Sequence, residues 1–200
     1  MIALLLRCAA LLTVLSMLAL GAILGQPRDD AAMRAFFTPQ DCAAPCFLGI
    51  RPGVTREDEA LAILRSQPWI DALQQNADSV TWVWNGKQPA FVSSFGNSFV
   101  LAQIDFRAGI VDTIRLTTTT TWAEFYFLFG APNQAVIQTR STPSAHYLIY
   151  DGAYFAPGFQ VETSTHCPVS REATWQSTVF ITWPVSDAVF SGQRRFFQGC

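Results

Sequence analysis

Between residues 79 and 117 apolar and polar positions alternate with a period of two. The runs "SVTWVW" (79–84), "AFVSSF" (90–95), "SFVLAQIDF" (98–106) and "IVDTIRLT" (110–117) are separated by Asn85-Gly86, Gly96-Asn97 and Ala108-Gly109. Such alternation puts successive side chains on opposite faces of a strand, and the Gly pairs supply the backbone freedom of tight hairpins, so the segment predicts an antiparallel meander. Val80, Trp82 and Trp84 fall on one face of its first strand. Upstream the spacing is helical. In "RPGVTREDEALAILRSQPW" (51–69), Ala60, Leu61 and Leu64 recur on one helix face, Thr55 is the expected N-cap with Asp58 as its carboxylate partner, and Pro68 is the stop. Glu57, Asp58 and Glu59 lie in the first turn, where the helix dipole favours negative charge, which accounts for this acidic cluster without chemistry.

The order then restarts. Thr117, Thr118, Thr119, Thr120 and Thr121 form a run in which Thr121 and Glu124 repeat the Thr-x-x-acid capping signal, with Thr118 and Thr119 read as linker. "WAEFYFLFGAPNQAVI" (122–137) reads as a short apolar helix ended by Gly130 and Pro132, followed by a strand near 135–139. "AHYLIYD", "GFQVET" and "STVFITW" supply further strands. The fold class expected is therefore α+β, with two tandem helix-plus-antiparallel-sheet halves over 42–116 and 117–200, the second carrying a C-terminal tail. The repeat is one of element order, with almost no residue identity behind it.

Ahead of these halves lies a different pattern. Residues 8–25, "CAALLTVLSMLALGAILG", are an uncharged apolar run preceded by Arg7 and followed by "QPRDD". Its length lies between the core of a signal peptide and a short membrane-spanning helix, so residues 1–25 read as one or the other. Ala19-Leu20-Gly21 offers small residues where a signal peptidase would cut after Gly21. Arg7 on one side and Asp29 and Asp30 on the other direct the rest of the chain outward. An extracytoplasmic location, membrane-anchored or secreted, follows from either. Cys8 follows Arg7 ahead of the apolar run, without the context of a lipidated cysteine. Residues 26–41 read as a polar tether, and the folded part is expected to start at Cys42.

Composition sharpens this reading. Half of the 200 residues are apolar and 14% are charged, against about a quarter in ordinary soluble proteins. Thirteen basic and fifteen acidic residues leave a net charge of −2 with no basic stripe, so nucleic acid is not an expected partner.

Four cysteines besides Cys8 are Cys42, Cys46, Cys167 and Cys200. A thioredoxin-like redox site has two residues between its thiols and a helix starting at the first, whereas here there are three and the helix begins well after Cys46. A zinc site needs four convergent ligands, and His166 with Cys167, adjacent on an extended segment, point to opposite faces. An even number of cysteines in an exported chain reads instead as disulfides. Three connectivities are open; Cys42 with Cys46 and Cys167 with Cys200 is preferred, because both bridges would secure edges of the folded region.

No Gly-x-Ser-x-Gly elbow, phosphate loop, dinucleotide fingerprint or His-Glu-x-x-His occurs. His146 in a strand, a distant serine and Asp151 could compose a triad, but nothing selects them, and no catalytic residue, metal or cofactor is assigned. Aromatic residues are the candidates for binding. Trp82, Trp84, Tyr147 and Tyr150 sit in expected strands, and one side of an antiparallel sheet is often open to solvent, where Trp and Tyr dominate interface energetics. The competing reading is that they fill the core.

The order of elements resembles the small envelope modules of SmpA/OmlA-type outer-membrane-assembly lipoproteins and of beta-lactamase-inhibitor proteins. "PGVT" (52–55) and "LFGAP" (128–132) carry the likeness, one in each half. The first helix lacks the glycine of that pattern, ending in "RSQPW", and the lipobox is missing. "CAAPCFLGIRPGVT" (42–55) also looks like the start of uncharacterised exported bacterial proteins. The resemblance implies a fold and a habit of binding proteins or stabilising envelope assemblies. The expected function is thus a membrane-tethered protein-binding or structural module of the cell envelope, without catalysis, whose partners are the membrane, through residues 1–25, and another envelope protein. An extracytoplasmic hydrolase is the alternative. Non-reducing peptide mapping is expected to find no alkylatable thiol among Cys42, Cys46, Cys167 and Cys200; labelling of two or more without a reductant would reopen the metal reading.

Overall fold

The computed structural model describes residues 11–18, 30–92, 102–142 and 145–185. The chain forms two compact units, Met1–Ala31 and Ala32–Cys200. In the first, residues 11–18 are helical (α1), and the large apolar side chains Leu11, Leu12, Val14, Leu15, Met17 and Leu18 are all exposed. Among the described residues no helix is long and apolar enough to cross a membrane. The rest of the apolar run, with the expected cleavage position at Gly21, lies outside the described residues.

The remaining elements are α2 (Asp30–Phe37), α3 (Glu57–Ser66), β1 (Ile70–Gln75), β2 (Ser79–Trp84), β3 (Ala102–Arg107), β4 (Ile110–Thr121), α4 (Trp122–Phe129), β5 (Gln134–Ser141), β6 (His146–Tyr154), β7 (Phe159–His166), α5 (Arg171–Gln176) and β8 (Thr178–Pro184). This is a mixed α+β structure, mostly sheet. Among the described residues, all eight strands belong to one antiparallel sheet in the order β1-β2-β3-β4-β8-β7-β6-β5. β4 and β8 pair in the middle, with Ile114 opposite Trp183 and Leu116 opposite Ile181.

The period of two decides which face is buried. Val80, Trp82 and Trp84 of β2, Ile104 of β3, Ile114 and Leu116 of β4, Val161 of β7, and Ile181 and Trp183 of β8 share one face and are almost wholly excluded from solvent. Phe37, Phe47 and Phe125 complete this core, with ring centroids 4.8 Å apart for Phe47 and Trp183 and 6.0 Å for Phe37 and Phe125. Fully burying each such side chain contributes on the order of 2 kcal/mol.

The structure differs from the sequence reading in several places, each with a local cause. Residues 30–37, expected within a polar tether, form α2: Met33, Phe36 and Phe37 stand at i, i+3 and i+4, and Phe37 is fully buried. The folded region therefore begins ahead of Cys42. Thr55 is not the N-cap of α3. The cap is Arg56, which makes no side-chain capping bond. The Glu57 N–H donates instead to the Gly109 carbonyl in the β3–β4 turn, which frees the buried Thr55 hydroxyl to accept the Arg51 N–H at 2.8 Å. The threonine run is strand rather than linker: it lies in β4, and the buried Thr118 hydroxyl donates to the Val179 carbonyl at 2.8 Å. Strand β1 and helix α5 are additional to the elements expected. Of "AFVSSF", Val92 makes only an isolated bridge to Thr118, and residues 93–95 lie outside the described residues.

Other expectations hold. Thr121 caps α4 in a reciprocal capping box: its hydroxyl accepts the Glu124 N–H at 3.3 Å, and its own N–H donates to Glu124 Oε2 at 2.9 Å. Gly130, at φ +77°, ends that helix in the left-handed region that a glycine enters without strain. Cys42 and Cys46 are joined in a disulfide. Cys167 is disulfide-bonded too, and Cys200 lies outside the described residues.

Denaturant melts of single alanine variants check these assignments. Thr121→Ala should cost about 1 kcal/mol through the lost cap. Thr118→Ala should cost on the order of 1–2 kcal/mol, because it leaves the Val179 carbonyl without its buried donor. Thr119→Ala, whose exposed hydroxyl bonds Ala90, should stay within about 0.5 kcal/mol of the parent. A silent Thr118→Ala would contradict its place in the sheet.

Candidate functional site

The opposite face of the sheet carries no helix among the described residues, and its chemistry is set by the other phase of each strand. Across β4, β8, β7 and β6, one row of neighbours is Thr117, Phe180, Glu162 and Asp151, and a second is Arg115, Thr182, Gln160 and Ala153. His166, Tyr147 and Arg140 form a third row across β7, β6 and β5. Between these rows runs an open groove of about 450 Å³, lined by Arg115, Thr117, Arg140, Tyr147, Ile149, Glu162 and Phe180 among others. Ile149 is only 2% exposed and Thr117 6%, although both point away from the main core. They form a floor below the level of the surrounding polar side chains.

The groove has an ordered charge pattern. Arg115 stands on β4, its guanidinium donating to Asp105 at 2.6 Å, and Arg140 stands on β5. Asp151 and Glu162 lie between them, directly opposite each other on β6 and β7. Like charges so placed destabilise a sheet. Burial pushes the Asp151 carboxyl up to about 6, and the Glu162 charge adds to this; a hydrogen bond from Gln138 Nε2 at 2.8 Å and the Arg140 charge offset it only in part. The Tyr147 ring lies against His166, tilted at 46° with ring centroids 4.4 Å apart.

The aromatic candidates do not gather on this face. Trp82 and Trp84 are core residues, 2% and 6% exposed, and the Trp84 ring packs on Trp69 at 5.3 Å. Their face of β2 is the buried one, because the helices lie over it, so they are packing groups and not an exposed binding face. Tyr150 is on the helix side as well: its ring lies 4.6 Å from Trp122, and burial raises its phenol pKa. Tyr147 alone of the four lines the groove. His146 and Asp151 occupy opposite faces of β6, five positions apart, so they do not compose a triad with each other. Phe180, Arg115, Arg140 and Glu162 were not singled out in the sequence. Phe180 carried a signal nonetheless: in "STVFITW" it is an aromatic at a position whose neighbours in phase, Thr178 and Thr182, are polar.

No protein-family model, curated protein or solved structure matches the chain.

The Asp151 carboxyl makes the stability of the sheet depend on pH. Its folded value, about 6, exceeds the ordinary 3.8. The native state therefore holds an extra proton between those values, and stability falls as pH rises through that window. Asp151→Asn keeps an acceptor for Gln138 and removes the charge. It should be more stable than the parent at pH 7 by about 1 kcal/mol, a full two-unit shift being halved because the group is partly open to solvent. The advantage should shrink as pH falls from 6 towards 4. Melts at several pH values measure it, and an advantage independent of pH would be inconsistent with the raised pKa.

Proposed function

We propose that the chain is an exported, membrane-tethered module of the cell envelope that binds a polypeptide partner on the open face of its sheet, without catalysis. The observation that carries this is the groove: two aromatic side chains, Phe180 and Tyr147, and a sunken Ile149 stand among polar and charged side chains, with Arg115 and Arg140 on either side of the Asp151–Glu162 pair. Flat polar sheet faces exposed only to water need none of this. Aromatic anchors surrounded by hydrogen-bonding groups are the usual make-up of the energetic centre of a protein interface. The charge order selects the partner: a basic side chain to sit between Asp151 and Glu162, flanked by acidic or amide groups that meet the arginines. Tethering is supported by the uncharged run 8–25 and by the exposed apolar side chains of α1.

The finer architecture belongs to the same reading. Helix α3 followed by β1 to β4, and helix α4 followed by β5 to β8, are two versions of one helix-plus-meander unit, placed so that their last strands pair. The symmetric strand order supports this, as does the resemblance to the envelope modules named above.

Site-specific photo-crosslinking from position 180 or 147 of the full chain, in its native membrane, tests the site. A discrete protein adduct is expected from both positions, at least tenfold weaker in Glu162→Arg, since reversing a charge at a desolvated pair costs more than about 1.4 kcal/mol. No adduct from either position, or one indifferent to Glu162→Arg, would remove the groove from the function.

A further inference from the structure

Away from the groove, the helix layer exposes an aromatic patch. Phe127 on α4 is 73% exposed, Trp175 on α5 is 40% exposed, and Ile137 on β5 is 40% exposed on the same side of the sheet. Tyr126 joins the two helices edge-on, its ring centroid 5.5 Å from Trp175. Helix α4, "WAEFYFLF", is apolar all round: Trp122, Phe125 and Leu128 face the core and Phe127 faces out, while its one charge, Glu124, is engaged in the capping box. A large aromatic on the outer side of a surface helix has no folding role, and a cluster of them marks an interaction surface.

The length of chain ahead of α2 says what covers it. Four residues, 26–29, separate Gly25, the end of the apolar run, from Asp30, the first residue of α2. Fully extended, the five steps from Gly25 to Asp30 span at most about 18 Å. One turn further on, the Arg34 guanidinium donates to the Leu128 carbonyl of α4 at 2.6 Å, next to Phe127. If the apolar run is in a bilayer, the start of α2 therefore lies within about 18 Å of the bilayer surface, and the Arg34–Leu128 bond ties α4 to that helix. Trp and Tyr rings with one apolar and one polar end partition to that interface.

We propose that Phe127, Tyr126 and Trp175 dock the helix layer on the interface of the bilayer, seating the domain so that the groove faces away from the membrane. This rests on the tethered reading above. Insertion of rings, rather than attraction between charges, drives the docking, in keeping with the chain's net charge of −2.

The six tryptophans provide the readout. None lies in residues 1–30, and Trp175 alone is exposed, the others being buried or half-buried. The full chain is reconstituted in phosphatidylcholine vesicles containing lipids brominated just below the headgroup, and tryptophan quenching is compared between the parent, Trp175→Phe and Phe127→Ser. The parent should be quenched, most of the quenching should be lost in Trp175→Phe, and Phe127→Ser should reduce it severalfold with an unchanged melt; high salt should leave all three values as they are. If the chain floats with the vesicles but Trp175 is not quenched, the tether stands and the docking proposal fails. If the chain does not float, the tethered reading fails and the docking with it. If Trp175 is shielded from an aqueous quencher without lipid, in proportion to protein concentration, a second copy occupies the patch and the proposal is overturned.

Discussion

The pairing of β4 with β8 is the constraint on which the rest depends. Every other ladder joins strands neighbouring in sequence or separated by one short helix, whereas this one joins strands more than fifty residues apart and makes two four-stranded runs into one sheet. It is reinforced beyond the ladder itself: the Thr118 hydroxyl donates to Val179, the Thr163 hydroxyl to Thr178, and the Trp122 N–H to Ser177. The last of these fixes where α4 starts. A single helix layer then covers both runs, since Phe37 touches Phe125 on α4 and Trp183 on β8 at once.

One consequence is the division of labour between the faces. A sheet covered by helices on one side must put its largest side chains there, and Trp82, Trp84 and Trp183 are spent on that core with their indole N–H groups left without a protein acceptor. Unpaired buried donors are uncommon. Here they accompany dense aromatic packing, in which Trp183 lies among Phe37, Phe47 and Phe159. The other face is relieved of packing, and its residues are free to be chosen for what they meet.

Local signals were legible where they competed with nothing. The Thr121–Glu124 capping box and Gly130 bound α4 as expected, and "SVTWVW" is β2 residue for residue, because each depends only on its own neighbours. Thr55 shows the opposite case: the same capping signal yields to a tertiary one, the Gly109 carbonyl supplying the acceptor that Thr55 would have been. Helix α2 was hidden because its eight residues make barely two turns, too short a stretch for the spacing of Met33, Phe36 and Phe37 to stand out as a period. The faces were the least legible feature. Period two shows that Trp82 and Trp84 share a face, but only the position of the helices decides that the face is buried. The groove needs the register of five strands, β4 on one side of the β4–β8 pairing and β8, β7, β6 and β5 on the other, and no single strand contains it.

That dependence also explains the Asp151–Glu162 pair. Opposed carboxylates half out of solvent on neighbouring strands lower stability at neutral pH, and a Gln or Thr at either position would pair with Gln138 or its cross-strand neighbour at no such cost. Natural sheets keep frustration of this kind where the groups serve something other than the fold. The pair lies between two arginines and beside Phe180, and the Arg140 charge relieves it only in part. On the binding function proposed above, the open face would be complementary to a basic side chain brought from outside, and the strain in the isolated protein would be the counterpart of the specificity that such a partner finds there.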